Sequence, residues 1–141
     1  MDRRAGKSRA GKELIAHFTI PYPPTKKGKA AFCRQYGLNA YYAGKPWPVR
    51  SREAKDLHLL TELAMRKAGV PKRMVTVPVA VRFCWDDGLD IDNHAVLGKA
   101  IVDTMKGWLL PNDSPRWVRC VTHGYWEQGC IGVWVEEFEE V

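Results

Sequence analysis

Between residues 75 and 108 the sequence changes its hydrophobic period once. Residues 75–85, VTVPVAVRFCW, alternate and are rich in valine, the pattern of a pleated strand. Beyond them Leu97, Ala100, Ile101, Met105 and Trp108 recur at helical spacing and mark one buried side. A strand feeding an amphipathic helix calls for a sheet with helices packed on it. Pro78 interrupts the valine run and points to an edge position or a bulge, since proline has no N–H for the ladder.

The rest of the chain fits around that pair. Residues 14–20, LIAHFTI, form a short apolar strand, ended by the prolines of Pro21-Tyr22-Pro23-Pro24. Residues 25–50 are read as a long connection in which cations and aromatics interleave: Lys26, Lys27, Lys29, Arg34, Tyr36, Tyr41, Tyr42, Lys45, Trp47 and Arg50. Such a mixture suits phosphate contacts and base stacking, and suits equally a loop pinned to the body by its rings. Ser51 is a candidate N-cap for a helix reaching Ala68, with Leu57, Leu60, Leu63 and Ala64 as its apolar stripe and Gly69 and Pro71 as its stop. The second helix should run from Asp92 or Asn93 to Lys106 and close at Gly107. Residues 118–123 and 131–138 read as two strands joined by a hairpin turn at Glu127-Gln128-Gly129. The order β-α-β-α-β-β, with an antiparallel closing pair, predicts an α+β fold: a mixed sheet with two main helices.

A chain of 141 residues is enough for one domain, here residues 13–141, with residues 1–12 as a flexible basic arm carrying Arg3, Arg4, Lys7, Arg9 and Lys12. The formal charge of +6 favours a polyanionic partner, weakly by itself. Cys33, Cys84, Cys120 and Cys130 lack metal-finger spacing and are expected to be free, mostly buried thiols in a reducing compartment. The N-terminal residues do not look like a signal peptide, and no apolar run approaches the roughly 20 residues of a membrane span. The expectation is a soluble, cytoplasmic protein without a membrane partner.

Against this basic background, residues 88–114 gather Asp90, Asp92, Asp103 and Asp113, together with Lys99 and Lys106. In an extended segment Asp90 and Asp92 face the same way, and two carboxylates so placed repel unless solvent or a cation relieves them. Mg²⁺ takes hard oxygen ligands and often binds through one or two carboxylates plus substrate phosphate. Along the following helix Asp92, Lys99, Asp103 and Lys106 form a charged stripe opposite the apolar one, with Lys99 and Asp103 one turn apart. Trp108-Leu109-Leu110 should be a buried anchor, and the turn after it can fold Asp113 back toward the start of the helix. Singly, each residue has a plainer role: Asp92 and Asn93 as caps, Asp113 as an Asx-turn residue, Lys99 with Asp103 as a surface pair worth a few tenths of a kcal/mol. Their order along the chain is harder to assign to coincidence.

Asp90-Ile91-Asp92-Asn93, Lys99-Ala100-Ile101-Val102-Asp103, Trp108-Leu109-Leu110 and Asn112-Asp113-Ser114 together resemble the central motif of RusA-type Holliday-junction resolvases. Upstream, residues 20–25 (IPYPPT) resemble that family's strand-end signature, and Asn39-Ala40-Tyr41-Tyr42 its Asn-aromatic segment. The likeness spans residues 14 to 138. It implies a RusA-like fold and a small homodimer, of a kind common in phages and prophages, that cuts four-way or related branched DNA with Mg²⁺, for which Mn²⁺ can substitute. The matching positions are Asp90, Asp92 and Asp113 as catalytic carboxylates and metal ligands, Lys99 as the catalytic lysine, and Asp103 as a supporting acid. Lys26, Lys27, Lys29, Arg34, Tyr41, Tyr42, Lys45 and Arg50 are the candidates for DNA contact. The interval from Asp92 to Lys99 is about one helical turn longer than the family's pattern, and the 25–39 loop is longer too. The competing reading is a non-catalytic module that binds branched or single-stranded nucleic acid.

Overall fold

The computed structural model describes residues 13–38, 40 and 43–140. The basic arm at residues 1–12, together with Asn39, Tyr41 and Tyr42, lies outside them. The described chain is α+β, a four-stranded mixed sheet with three helices. In chain order the elements are β1 (Leu14–Pro21), α1 (Lys26–Tyr36), α2 (Trp47–Lys67), β2 (Val79–Trp85), a 3₁₀ turn (Ile91–His94), α3 (Ala95–Met105), β3 (Val118–Tyr125) and β4 (Cys130–Glu137).

The strands lie in the order β1-β4-β2-β3. β4 runs antiparallel to both β1 and β2, and β2 runs parallel to β3. The expected β3–β4 hairpin therefore does not form. β2 is the most thoroughly buried strand and takes a central place between them, whereas β3 exposes most of its residues and serves as an edge. The Glu127-Gln128-Gly129 segment instead carries the chain across the end of β2. Trp126 N–H donates to the Trp85 carbonyl at 3.0 Å and Gly129 N–H to the Asp86 carboxylate at 2.6 Å. The parallel β2–β3 pair needs a crossover, and α3 provides it.

The basic, aromatic stretch after β1 is likewise not a loop throughout. Thr25 caps α1, its hydroxyl accepting from Gly28 N–H at 2.9 Å, and eleven residues follow as helix. The start of α2 lies four residues before the expected Ser51 cap. Pro46 occupies the cap position, and Pro48 fits the first turn because its missing N–H has no partner to lose there. Leu57 and Ala64 are buried as expected, but Leu63 is 55% exposed and Thr61 and Met65 take its place. The stops at Gly69 and Gly107 hold, both with positive φ. β2 begins after Pro78, later than the valine pattern suggested, because proline cannot donate to the ladder.

One core joins these elements. Phe18 and Ile20 of β1, Val81 and Phe83 of β2, and Val133 and Val135 of β4 pack with Leu57 and Met65 of α2 and Leu97, Ile101 and Met105 of α3. Trp108, Leu109 and Leu110 are buried, as the anchor reading required. The four cysteines are free thiols, half-buried rather than buried.

Candidate active site

In open sheets with parallel strands, ligand sites collect beyond the carboxyl ends of those strands. Here β2 and β3 finish side by side at Trp85 and Tyr125. The segment leaving β2 carries Asp86, Asp87, Asp90 and Asp92. Asp87 anchors it. Its side chain has no solvent access and accepts from His94 Nε2 at 2.9 Å, from the Tyr22 hydroxyl at 3.1 Å and from Leu89 N–H at 3.1 Å. Burial opposes its charge. The hydrogen bond and charge of His94, then Leu89 N–H and Tyr22, outweigh that and hold the carboxyl below its usual range. His94 presents its other ring nitrogen to the Ile91 carbonyl at 3.0 Å, so both ring nitrogens face acceptors. Its ring stacks on Trp85, with centroids 4.3 Å apart. Tyr22, read from sequence only as part of a proline-rich strand end, also accepts from Asp86 N–H at 3.0 Å, and burial above all raises its phenol well above the usual range.

Asp90 and Asp92 contrast with this anchored pair. Asp90 sits at the cap position of the 3₁₀ turn and Asp92 in its first turn, yet Asp90 makes no capping bond through its side chain. Both residues are exposed, and neither carboxylate has a hydrogen bond or ion pair among the described residues. Asn93 is not a cap either: its Oδ1 accepts from Leu38 N–H at 2.5 Å, fastening the end of α1 to this turn. The two free carboxylates act on Tyr125, whose hydroxyl donates to the Leu89 carbonyl. Burial first, then the charges of Asp87, Asp90 and Asp92, raise the Tyr125 phenol above its ordinary value.

The charged stripe on α3 forms, and continues into the turn after it. Asp103 lies 3.4 Å from Lys99 Nζ and 3.3 Å from Lys106 Nζ, and Lys106 reaches Asp113 at 3.7 Å. Asp113 is thus folded back onto α3, but its partner stands just past the helix C-terminus, not at its start. Its Asx-turn role falls to Asn112, whose Oδ1 accepts from Ser114 N–H at 2.9 Å. Asp113 nevertheless borders a cleft of about 260 Å³ between α3 and β3, together with Ala95, Gly98, Lys99 and His123.

His123 is the functional candidate that the sequence reading missed. Its Nδ1 accepts from Trp85 Nε1–H at 3.0 Å, so the neutral ring carries its proton on Nε2. Burial first, then the charge on His94, push the imidazole below its ordinary value and keep it neutral near pH 7. A neutral ring held this way offers an N–H donor, not a base. The available signal was the alternation of β3, which places Val121, His123 and Tyr125 on one side.

The candidate DNA-contact residues separate into groups. Lys26, Lys27 and Arg34 are exposed on α1. Lys29 sits over the Tyr22 ring at 4.6 Å. Lys45 is committed internally, to Glu53 at 2.7 Å and to the Gln35 carbonyl, and lies over the Tyr36 ring. Arg50 lines a second cleft with Lys45, Lys99 and Asp103. Tyr41 and Tyr42 are outside the described residues.

Among the described residues no group of three His, Cys, Asp or Glu side chains is arranged to hold a metal ion, the trio Asp90, Asp92 and Asp113 included. Two uncommitted carboxylates two residues apart do fit Mg²⁺, which binds through one or two carboxylates and completes its shell with water and phosphate oxygens. No described helix is long and apolar enough to cross a membrane. In comparison with known proteins, neither a family model nor a curated protein matches the chain.

Proposed function

We propose that this chain is a metal-dependent endonuclease that hydrolyses phosphodiesters in branched DNA, four-way junctions in particular, as its resemblance to the RusA-type resolvases implies. The observation that carries the reading is the division among the carboxylates. Of the six aspartates from Asp86 to Asp113, Asp86 and Asp87 hold the loop, Asp103 and Asp113 are ion-paired, and Asp90 and Asp92 are left exposed and uncommitted. Carboxylates that serve no structural bond suit a divalent ion better than they suit stability.

Asp90 and Asp92 would hold Mg²⁺, with Asp113 the remaining candidate ligand. Bound there, Mg²⁺ supplies charge relief at the phosphate and an activated water. The Lys99 ammonium, 73% exposed at its side chain, would stabilise charge developing on the phosphoryl oxygens. His123 Nε2–H would add a neutral donor from the opposite wall of the same cleft. Tyr22, His94 and Asp87 touch no substrate in this scheme; they position the loop. Symmetric resolution of a junction takes two cuts, which a pair of identical chains would supply.

The competing reading, a non-catalytic module for branched or single-stranded nucleic acid, draws on one observation: Asp113 is paired with Lys106 and is not grouped with Asp90 and Asp92. A synthetic four-way junction separates the two. The nuclease reading expects Mg²⁺-dependent cleavage that disappears in Asp90→Asn and Asp92→Asn while junction binding persists. Binding without cleavage at any Mg²⁺ or Mn²⁺ concentration would leave the module.

A further inference from the structure

A second cleft, about 480 Å³, lies between the end of α1, the first turns of α2 and the outer face of α3. Neither the acidic loop nor His123 contributes to it. Tyr36 stands in its wall, 6% exposed, with a phenol pushed up to about 12 by burial and then by Glu53 and Asp56. Trp47 stands at its mouth and is 71% exposed, the most exposed large apolar side chain among the described residues. Lys99, Arg50 and Lys45 line it together with Glu53 and Asp103, which pair with Lys45 and Lys99, and the first turn of α2 contains no acidic residue.

These features match one chemistry. An indole left in water at the rim of a part-apolar cleft offers a stacking face, and every nucleobase has a complementary one. Cations and the positive end of a 21-residue helix suit the phosphate attached to that base. The position matters as well. Ala95 and Lys99 line both this cleft and the smaller one holding Asp113 and His123, so the two open on either side of the same lysine. A strand whose phosphate rests at Lys99 would have a neighbouring base within reach of Trp47.

We propose that this cleft binds an unpaired nucleobase of the DNA strand, stacked on Trp47, next to the phosphate held at Lys99. The inference rests on the nuclease reading for the identity of the strand, but not for the existence of the subsite. It gives a physical source of preference for branched DNA. A base in a continuous duplex must be unstacked before it can enter, whereas a base at a branch point is already partly released.

The test is binding without turnover, in EDTA, of three probes of equal length: an oligo-dT single strand, a fully paired duplex, and a four-way junction carrying 2-aminopurine beside the crossover. The wild-type protein should bind the single strand and the junction more tightly than the duplex, and the 2-aminopurine emission should change on binding. Trp47→Ala should lose about tenfold in affinity for the first and third probes, little for the duplex, and the emission change with it. Trp47→Phe should keep most of both, which separates loss of stacking from misfolding. Equal affinity of Trp47→Ala and wild type for all three probes overturns the proposal, and so does an equal loss on the duplex. Mg²⁺-dependent cleavage that is indifferent to Trp47 removes this subsite and keeps the nuclease. Trp47-dependent binding without cleavage does the reverse.

Discussion

Asp87→Asn is the substitution that most directly tests whether the acidic loop is held from beneath. The exchange preserves volume and one acceptor oxygen but removes the charge and the second acceptor. In the wild type that carboxylate, wholly inaccessible, receives His94, Tyr22 and Leu89. A hydrogen bond to a charged group is worth about 1.5–3 kcal/mol, and a buried partner left unsatisfied costs about 1–3. The amide keeps one of the bonds, so the expected loss is about 3 kcal/mol in the urea-unfolding free energy at pH 7. The pH dependence gives a sharper check. The folded-state carboxyl lies below its ordinary value of 3.8, so the stabilisation is fully present above that value and is lost as pH falls through the lower folded one. The gap between variant and wild type should therefore shrink as the solution is acidified through pH 4 and below. A gap under about 0.5 kcal/mol at pH 7, or one that widens as the pH falls below 4, would refute the buried carboxylate as the anchor.

Three further outcomes follow from the geometry. Asp90→Asn and Asp92→Asn should each unfold within about 0.5 kcal/mol of wild type, because neither carboxylate has a described partner, while each lowers Mg²⁺-dependent junction cleavage by a factor on the order of 100 or more. In a ¹⁵N-resolved titration, His123 should show its proton on Nε2 at neutral pH and titrate below 6.5; observation of the Nδ1–H tautomer would contradict the Trp85 hydrogen bond. Gly132→Ala should cost about 1–3 kcal/mol in thermal or urea unfolding, since a Cβ there would come within 2.6 Å of the Trp126 ring and 2.7 Å of the Trp134 ring.

Sequence periodicity located most elements because burial itself is periodic. The apolar side of α3 and the Trp108-Leu109-Leu110 anchor needed no knowledge of partners. What it could not supply was adjacency. The link from Tyr125 to Cys130 has the length of a hairpin, and only the largely apolar, buried character of β2, which competes for a central position, inserts a third strand between β3 and β4. The helix at residues 26–36 was obscured because its face is sparse, with only Phe32 and Tyr36 buried, and its many lysines read as a loop. At the site, Asp90, Asp92 and Lys99 were legible as a motif. His123 and Tyr22 were not, because each acts through a partner distant in sequence, Trp85 and Asp86 respectively, and His94 was not, because its bond to Asp87 depends on how the intervening turn folds.

The aspartates also show why residue type alone underdetermines function. Six of them, from Asp86 to Asp113, look interchangeable in sequence, and the fold sorts them by what each side chain already has. Asp86 closes the link over β2, Asp87 binds the buried His94 ring, and Asp103 and Asp113 alternate with Lys99 and Lys106 along one face. Each of those four is accounted for by the folded state. Asp90 and Asp92 are not, and they add mutual repulsion that folding alone gives no reason to keep. Two unpaired carboxylates on a loop held by Tyr22, His94 and Asp87 would suit the proposed metal, since ligands that wander lose the geometry that gives an ion its effect. The same reasoning sets an order for the variants. Removing the base should damage both stability and cleavage, whereas removing the free carboxylates should damage cleavage alone, and a set of variants that failed to divide in this way would return all six residues to a structural role.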